Sequence, residues 1–433
     1  MKQEPIVVFW FRRDLRFDDN NGLFNALKSG KKVLPLFVFD QQILDKLPSN
    51  DLRVNFIHDQ LCAINKEFEK YNSGILIKKG IPEKVFESIF EEYNVAAVYT
   101  NHDYEPYAVK RDAKVQEICK KNSADFQTFK DQVVFEKDEI TKADGKSYTV
   151  YTPYSKKWLD KFYASKIEEY RSENELNQLY QTLLSFPTLS AIGFEKSSIG
   201  YPTFCISKSL LSNYESQRNI PSKKGTSMIS VQLRFGTMSI RKLAKSIDAS
   251  QLIFFKELIW REFFMQIIHH FPYVVHGSFK KKYDQIPWRN SEEDFKKWCD
   301  GKTGYPMVDA GMHELNATGY MHNRVRMVVA SFLCKHLLID WQWGAAYFAE
   351  KLIDFELSSN NGNWQWAAGC GCDAAPYFRV FNPIIQLEKF DPNFEYVKTW
   401  LPNFVNTSNY IPPMVEHKMA RERAIRTYKD ALQ

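Results

Sequence analysis

The chain has 433 residues, of which 44% are apolar and 15% aromatic, and its formal net charge is +6. At roughly 100–200 residues per domain, this length predicts two or three domains. There is no run of about 18 or more uncharged apolar residues, so we expect no transmembrane helix. Residues 1–5 lack the succession of basic, apolar and small residues of a signal peptide, and we therefore expect a cytoplasmic protein. The positive charge permits a polyanionic partner without requiring one.

The cysteines carry no sign of a disulfide framework. Seven are scattered along the chain, and this odd number fits reduced thiols better than paired ones. Cys370 and Cys372 are the one close pair, and no second pair follows at the spacing of a zinc site. We therefore expect tight packing at this pair and no metal.

Residues 1–135 alternate the patterns of strands and helices. Apolar runs of buried-strand length occupy residues 6–11, 33–39, 74–78 and 95–99, with amphipathic patterns between them. This alternation predicts a Rossmann-like α/β domain with a doubly wound parallel sheet. Ligands of such sheets bind at the carboxyl ends of the strands, although no Gly-x-Gly-x-x-Gly fingerprint is present.

The rest of the chain divides into a connector and a helical region. Residues 136–200 begin as a polar loop, include one helical start, and then mix Ser, Asn, Glu and Pro with few periodic apolar residues. This composition predicts a long interdomain linker. Residues 201–433 show helical patterns almost throughout, so we expect an all-α domain there.

The most informative stretch lies between residues 302 and 383. Val325, Val329 and Phe332 belong to an apolar stripe at helical spacing, which predicts a helix with one buried face. Asn323 and Met327 are four residues apart and share a different face of that helix. A carboxamide beside a thioether suits a flat group with amide edges, such as a pyrimidine or a flavin. The alternative is an ordinary aromatic helical core.

Two further segments have both a structural and a functional interpretation. Small hydroxyl residues at 226–230 precede an apolar run, which is typical of helix capping but also of phosphate binding at a helix N-terminus. Glu257, Trp260, Arg261 and Phe264 share one face of a predicted helix. An acid beside a tryptophan is most often a partly exposed helix charge.

Basic residues are interleaved with aromatic ones at residues 279–283, and two lysines stand at 223–224. Such runs usually mark a solvated face. When they surround a cavity mouth, they supply salt-dependent and largely sequence-independent affinity for nucleic acid phosphates.

Two strings resemble the FAD-binding region of the DNA photolyase/cryptochrome family: Tyr-Met-His-Asn-Arg at residues 320–324, and Asn-Asn-Gly-Asn-Trp-Gln-Trp at 360–366. They resemble the class I cyclobutane pyrimidine dimer (CPD) photolyases. The (6-4) photolyases and animal cryptochromes have histidine where Asn323 stands, and the DASH branch usually has tyrosine where Trp366 stands. The resemblance extends from residues 9–16 to residues 415–417.

The resemblance implies light-driven repair of pyrimidine dimers by an electron from reduced FAD. Glu356 and Phe355 depart from the usual Asp-Gly-Asp, and Phe254 stands where tryptophan is common. Asn360 matches a residue near flavin N5, while Arg326 and Asp354 match a pair beside the isoalloxazine ring. The implied FAD contacts are Tyr214, Thr226, Ser227, Met228, Ile229, Ser230, Phe254, Arg326, Asp354, Phe355, Glu356 and Asn360.

The resemblance also implies roles at the lesion. Glu257 and Asn323 hydrogen-bond the flipped dimer, and Met327 fills the gap against the thymine methyl groups. The tryptophans that stack on the bases, and the cations that contact the DNA, are Arg218, Trp260, Arg261, Arg324 and Trp366. A relay that carries electrons to photoexcited oxidised flavin is implied for Trp288, Trp341 and Trp364, for which simple core packing is the alternative.

The resemblance places a light-harvesting antenna chromophore in the N-terminal domain. Folate-binding members have Asn-Glu where this chain has Tyr107 and Ala108, which disfavours methenyltetrahydrofolate and leaves a deazaflavin, FMN or an empty site. DNA containing pyrimidine dimers is the expected partner of a monomeric protein. The alternative function is a cryptochrome-like blue-light photoreceptor without repair activity. The short C-terminal end and residues Asn323, Met327 and Trp366 favour repair.

Overall fold

The computed structural model describes residues 4–182 and 184–433. Their contacts group them into two compact units. The first contains the chain up to Ile140, Lys157–Tyr201 and Ile229–Asp248, and the second contains Thr141–Lys156, Pro202–Met228 and Ala249–Gln433. Each unit is discontinuous in sequence. The predicted domain limits at residues 135 and 200 stay predictions.

The first unit is built on a parallel sheet. In the described residues it has five strands in the order β3-β2-β1-β4-β5. The central strand is wholly buried, and Val8 pairs with Leu34 on one side and Val98 on the other. This confirms the predicted doubly wound α/β fold. The elements are β1 (Ile6–Phe11), α1 (Asn21–Leu27), β2 (Val33–Asp40), α2 (Gln41–Leu44), α3 (Leu52–Glu69), β3 (Leu76–Gly80), α4 (Pro82–Glu92), β4 (Val95–Asn101), α5 (Pro106–Lys121), β5 (Asp125–Phe129), α8 (Ser230–Phe235) and α9 (Ile240–Ser246).

Strand β5 is the strand that the apolar runs did not indicate. Its sequence, Asp-Phe-Gln-Thr-Phe, alternates polar and aromatic residues, and it pairs with β4 alone at the edge of the sheet. An edge strand is covered less than a central one, so it needs no continuous apolar run. Hydrophobicity therefore predicts the other four strands and misses this one.

The second unit is helical, as predicted. Helix α6 (Tyr151–Ala164) begins in this unit and ends in the first. None of the helices in the described part of the chain is both long and apolar enough to cross a membrane. The other helices of the unit are α7 (Lys208–Gln217), α10 (Leu252–His270), α11 (Glu292–Cys299), α12 (Pro306–Thr318), α13 (Asn323–Ser331), α14 (Trp341–Lys351), α15 (Leu357–Ala368), α16 (Pro383–Phe390), α17 (Glu395–Trp400) and α18 (His417–Leu432).

The predicted buried stripe runs along α13 and into the residue that follows it, because Val325, Val329 and Phe332 are each no more than 1% exposed. A π-helical segment, Phe332–His336, follows it directly. The neighbouring helices α14 and α15 approach closely at Gly344, where a Cβ atom would lie 2.1 Å from Cη2 of Trp364. Glycine is required at this position because any side chain would displace the indole.

The C-terminal helix α18 docks on the π-helical segment through three polar contacts. The Nζ atom of buried Lys335 lies 3.7 Å from the ring centroid of Tyr428 and donates to the carbonyl of Ala368 at 2.8 Å. Nε2 of His336 lies 2.9 Å from Nδ1 of His417. A guanidinium nitrogen of Arg423 donates to the carbonyl of His336. The hydrogen bond between the two imidazoles requires at least one of them to be neutral, because a protonated ring has no acceptor nitrogen.

We expect the stability of the protein to fall below pH 6.5. Burial, reinforced by His417, lowers the pKa of His336 to about 3, whereas an unfolded histidine titrates near 6.5. Between these values the unfolded chain binds more protons, so the free energy of unfolding decreases as the pH falls. At pH 5 this single group contributes a loss of about 2 kcal/mol.

Thermal unfolding of wild type and His336→Gln at pH 7 and pH 5 measures this contribution. The difference in Tm between the two pH values should be smaller in the variant, which cannot titrate at this position. Buried His322 has a pKa lowered to about 4 and acts in the same direction in both proteins, so the comparison cancels it. An identical pH dependence in the two proteins contradicts the assignment to His336.

Candidate functional site

Helices α13, α14 and α15 line a cavity of about 620 Å³. Small-molecule and cofactor sites combine apolar walls with a few polar groups. The lining of this cavity contains apolar residues such as Phe348 and polar residues such as Asn360. The lining residues are Asn323, Arg326, Met327, Ala330, Phe348, Leu352, Asp354, Phe355, Glu356, Ser359, Asn360, Asn363, Trp364, Trp366 and Ala367.

Two of the lining residues, Arg326 and Asp354, form an ion pair. Nη2 of Arg326 lies 3.0 Å and 3.3 Å from the two carboxylate oxygens of Asp354. Nε of the same guanidinium donates to the carbonyl of Met321 at 2.7 Å. Asp354 is buried, and an unpaired buried carboxylate costs several kcal/mol. Although burial lowers it, the pKa of Arg326 is raised above its usual value by this carboxylate, so the guanidinium is charged.

Glu356 and Asn360 are held by the start of α15. The Glu356 carboxylate accepts hydrogen bonds from the backbone nitrogens of Ser358 and Ser359 at 3.1 and 2.8 Å, and from the Ser359 hydroxyl at 2.8 Å. It is therefore the N-cap of the helix. The longer acid, where aspartate is usual, fits this role. The Asn360 amide nitrogen donates to the carbonyl of Ala345 at 3.1 Å, which orients the side chain in the cavity wall.

A second cluster joins α7 and α10. Nη1 of Arg218 lies 2.6 Å from Oε1 of Glu257, and both side chains are partly exposed. The same guanidinium lies over the ring of Tyr214, whose edge packs on Phe254 with the ring centroids 5.1 Å apart. Arg218, predicted to bind DNA phosphate, is thus also the partner of the predicted lesion-binding carboxylate.

The tryptophans predicted to stack on bases have aromatic neighbours of their own. Trp260 lies face to face with Tyr151, with ring centroids 3.5 Å apart and an interplanar angle of 5°. Trp366 lies 6.4 Å from Phe381 in a tilted arrangement. Arg261 follows Trp260 on α10 and is half-buried.

Three arginines lie within electrostatic range of one another. Arg324 donates to Oδ1 of Asn219 at 2.7 Å and lies over the ring of Phe390. Burial, together with the charges of Arg218 and Arg379, lowers the pKa of Arg324. Arg379 was not predicted from the sequence. Its setting between aromatic residues, Tyr-Phe-Arg-Val-Phe at 377–381, is a sequence signal that could have identified it.

The hydroxyl-rich segment does not cap a helix as its sequence suggested. Helix α8 begins at Ser230, and its N-cap position is Ile229, which makes no side-chain capping bond. Met228 has a left-handed φ of 53°, which places the turn after the hydroxyl residues Thr226 and Ser227. Within the described residues, the buried Oγ of Ser230 has no hydrogen-bond partner.

The three tryptophans of the predicted relay have different surroundings. Trp364 lines the cavity, and its ring contacts Trp298 and Phe348 at centroid distances of 6.3 and 5.0 Å. Trp341 is buried in the same hydrophobic core. Trp288 packs edge-on against Tyr428 at 5.8 Å. The relay role of all three stays a prediction.

Comparisons with known proteins match both units. Residues 7–172 match the family described as DNA photolyase, and residues 254–409 match the FAD-binding domain of DNA photolyase. A deoxyribodipyrimidine photo-lyase of Synechococcus is 33% identical over 463 aligned positions, which cover 96% of this chain and 95% of that protein. The chain belongs to the DNA photolyase family.

Solved structures of the photolyase family and its relatives agree with this membership. A class III photolyase from Agrobacterium tumefaciens has a TM-score of 0.86 at 29% identity, covering all of this chain and 98% of the other. A cryptochrome from Synechocystis has a TM-score of 0.85 at 25% identity, covering 99% and 100%. The predicted family, enzyme class and FAD cofactor are thereby confirmed.

The residues of this photolyase fit FAD. The cavity offers apolar walls beside the ion pair of Arg326 with Asp354 and the amide of Asn360. These groups match the amide and imide edges of an isoalloxazine ring. Which residues make the actual contacts stays a prediction.

The first unit contains a further cavity, of about 820 Å³, at the carboxyl ends of its strands. Trp10 and Arg12 from β1 and its following loop, Phe39 from β2, and Asp103 after β4 line it, which is where ligands of doubly wound sheets bind. Tyr107 also lines the cavity and donates to the Asp40 carboxylate. An antenna chromophore in this cavity, a deazaflavin or FMN rather than methenyltetrahydrofolate, stays a prediction.

Proposed function

We propose that this photolyase splits cyclobutane pyrimidine dimers in DNA, using light and reduced FAD. One observation carries the proposal. Asn323, Met327 and Trp366, the residues assigned to the lesion, line the same cavity as the flavin-type residues Arg326 and Asn360. A lesion and a flavin bound by these residues would therefore lie next to each other, which is the arrangement that direct electron transfer between them requires.

The side chains around this space suit a pyrimidine dimer. The Asn323 amide both donates and accepts, so it matches the adjacent carbonyl and N–H groups of a pyrimidine edge. Met327 is apolar and adaptable enough to pack against methyl groups. Trp366 offers a ring face, and base–aromatic stacking stabilises a flipped base by about 1–3 kcal/mol. This offsets the few kcal/mol that base flipping costs.

Glu257 complements these residues from α10. Its ion pair with Arg218 at 2.6 Å keeps the carboxylate oriented and available as an acceptor. An ionised carboxylate accepts hydrogen bonds only, so it would bond the N–H of a pyrimidine and disfavour a carbonyl at the same place. When bound and reduced, FAD supplies the photoexcited electron that opens the cyclobutane ring.

DNA affinity would come from the arginines. Arg324 and Arg379 lie close enough for their charges to repel, since Arg379 lowers the pKa of Arg324. A phosphate placed between like charges relieves that repulsion. Such contacts hold the duplex without reading its sequence.

Repair of a defined lesion tests the proposal. The reduced holoprotein is mixed with an oligonucleotide that carries one thymine dimer, and restored thymines are measured by chromatography after blue light or darkness. We expect restoration in the light only, and none for a matched (6-4) photoproduct. Repair in darkness, or no repair in light by flavin-loaded reduced protein, would falsify the proposal.

A second candidate is a cryptochrome-like photoreceptor, which the likeness to the Synechocystis cryptochrome favours. This candidate predicts that blue light changes the flavin spectrum while dimers persist. The same repair assay separates the two functions.

A further inference from the structure

Tyr151 and Trp260 form an unusually close aromatic pair. Their ring centroids are 3.5 Å apart and their planes differ by 5°, whereas aromatic pairs in proteins usually have centroids 4.5–7 Å apart in offset or edge-on arrangements. Neither the family resemblance nor the cavity lining singled out Tyr151. It is the first residue of α6, and the sequence around it is rich in tyrosine.

Tyr151 forms hydrogen bonds through both its side-chain hydroxyl and its backbone nitrogen. Its hydroxyl donates to the carbonyl of Lys256 at 2.8 Å, one turn before Trp260 on α10. Its backbone nitrogen donates to Oδ2 of Asp373 at 2.9 Å. The edge of Phe263 packs against the ring at 5.8 Å, and the residue is 8% exposed. These contacts make the tyrosine a fixed part of the scaffold.

The stack constrains Trp260. One face of the indole is covered by Tyr151, and Phe264 approaches it at 5.4 Å with an interplanar angle of 29°. Trp260 is nevertheless half-buried and not fully enclosed. Its ring therefore cannot turn about its side-chain bonds without breaking the stack. An indole that is already oriented loses less conformational entropy when a base stacks on it.

We propose that Tyr151 is a positioning residue of the lesion site. It holds the Trp260 indole in one orientation, and the exposed part of the indole receives one pyrimidine of the flipped dimer. The other pyrimidine is then left to Trp366. This inference rests on the proposed function, because it requires a pyrimidine dimer as the ligand.

Equilibrium binding in the dark tests the inference without any contribution from photochemistry. A duplex with one thymine dimer and the same undamaged duplex are titrated with the flavin-loaded protein. Tyr151→Leu should weaken binding to the damaged duplex by about tenfold, the effect of losing part of one base stack. Its affinity for the undamaged duplex and its flavin content should not change.

Tyr151→Phe is the matched control. It keeps the ring and loses only the hydroxyl that donates to Lys256, so discrimination between the two duplexes should be close to that of wild type. If Tyr151 acts through Trp260, then adding Tyr151→Leu to Trp260→Leu should cause little further loss. Tyr151→Met, with a side chain of similar length, replaces the leucine variant if that protein does not fold.

Three results would overturn the inference. Tighter binding of the damaged duplex by Tyr151→Leu would mean that the tyrosine ring occupies the place of a base. Unchanged discrimination, or equal loss on both duplexes, would mean that the stack serves packing alone. If wild type binds the two duplexes equally well, the proposed function itself is contradicted. The wild-type titration shows this before any variant is compared.

Discussion

Replacing Trp364 with phenylalanine should slow the light-driven reduction of oxidised FAD by an order of magnitude or more, and leave dimer repair by chemically reduced enzyme largely intact. Photoreduction requires an oxidisable side chain close to the flavin, and Trp364, which is 2% exposed, lines the cavity that we propose holds it. Phenylalanine retains much of the apolar volume, but its ring is far harder to oxidise. Repair begins from flavin that is already reduced and does not require this step.

Trp366→Phe is the control for this experiment, because Trp366 lines the same cavity two residues further along α15. It should impair dimer binding or repair more than photoreduction. Flavin absorbance under blue light with an external reductant gives the first rate, and dimer repair after dithionite reduction gives the second. Normal photoreduction in Trp364→Phe would make that residue a packing residue, whereas lost repair in the prereduced variant would place it at the substrate.

The arginine variants Arg218→Ala and Arg324→Ala should differ in their effect on damaged DNA. Arg324→Ala should weaken binding to damaged and undamaged duplexes equally. It should also reduce the slope of log K against log salt concentration by roughly one unit per lost phosphate contact. Arg218→Ala should cause a further loss of affinity for damaged DNA alone, because it removes the guanidinium that lies 2.6 Å from the Glu257 carboxylate. We expect this additional loss to be about tenfold, the size of one hydrogen bond to a charged group.

Glu257→Gln separates the two roles of Arg218. The glutamine keeps the size of the side chain but loses its charge, so it should reproduce the loss specific to damaged DNA while leaving the salt slope unchanged. Binding of both duplexes over a range of salt concentrations measures all three variants. If Arg218→Ala and Arg324→Ala reduce the two affinities in the same ratio, the ion pair with Glu257 has no role in recognising the lesion.

Much of the fold could be predicted because its signals are local. The apolar runs at β1, β2 and β4 are long enough to mark buried strands, and the stripe through Val325 and Val329 marks the buried face of α13. The polar edge strand β5 has no such signal, since its stability comes from pairing with β4. The hydroxyl segment before α8 was misleading as a cap, because the left-handed backbone at Met228 moves the helix start beyond it.

In the candidate site, too, some features could be predicted from the sequence and others could not. The order of Asn323 and Met327 on α13, Asp354 in the loop before α15, and Asn360 on α15 is visible in the sequence. Short strings were enough to reveal the family. The sequence by itself determined the residue types available for a flavin and a pyrimidine, the α/β and helical regions, and the membership of the DNA photolyase family.

Only the tertiary structure decided the partners of those residues. Arg218 and Glu257 are 39 positions apart, and Tyr151 and Trp260 are 109 apart, yet each pair is in direct contact. Helical periodicity relates only residues three or four positions apart, so it contains no information about such pairs. They form where packing brings separate helices together, and that packing converts a list of suitable side chains into an ion pair and an aromatic stack.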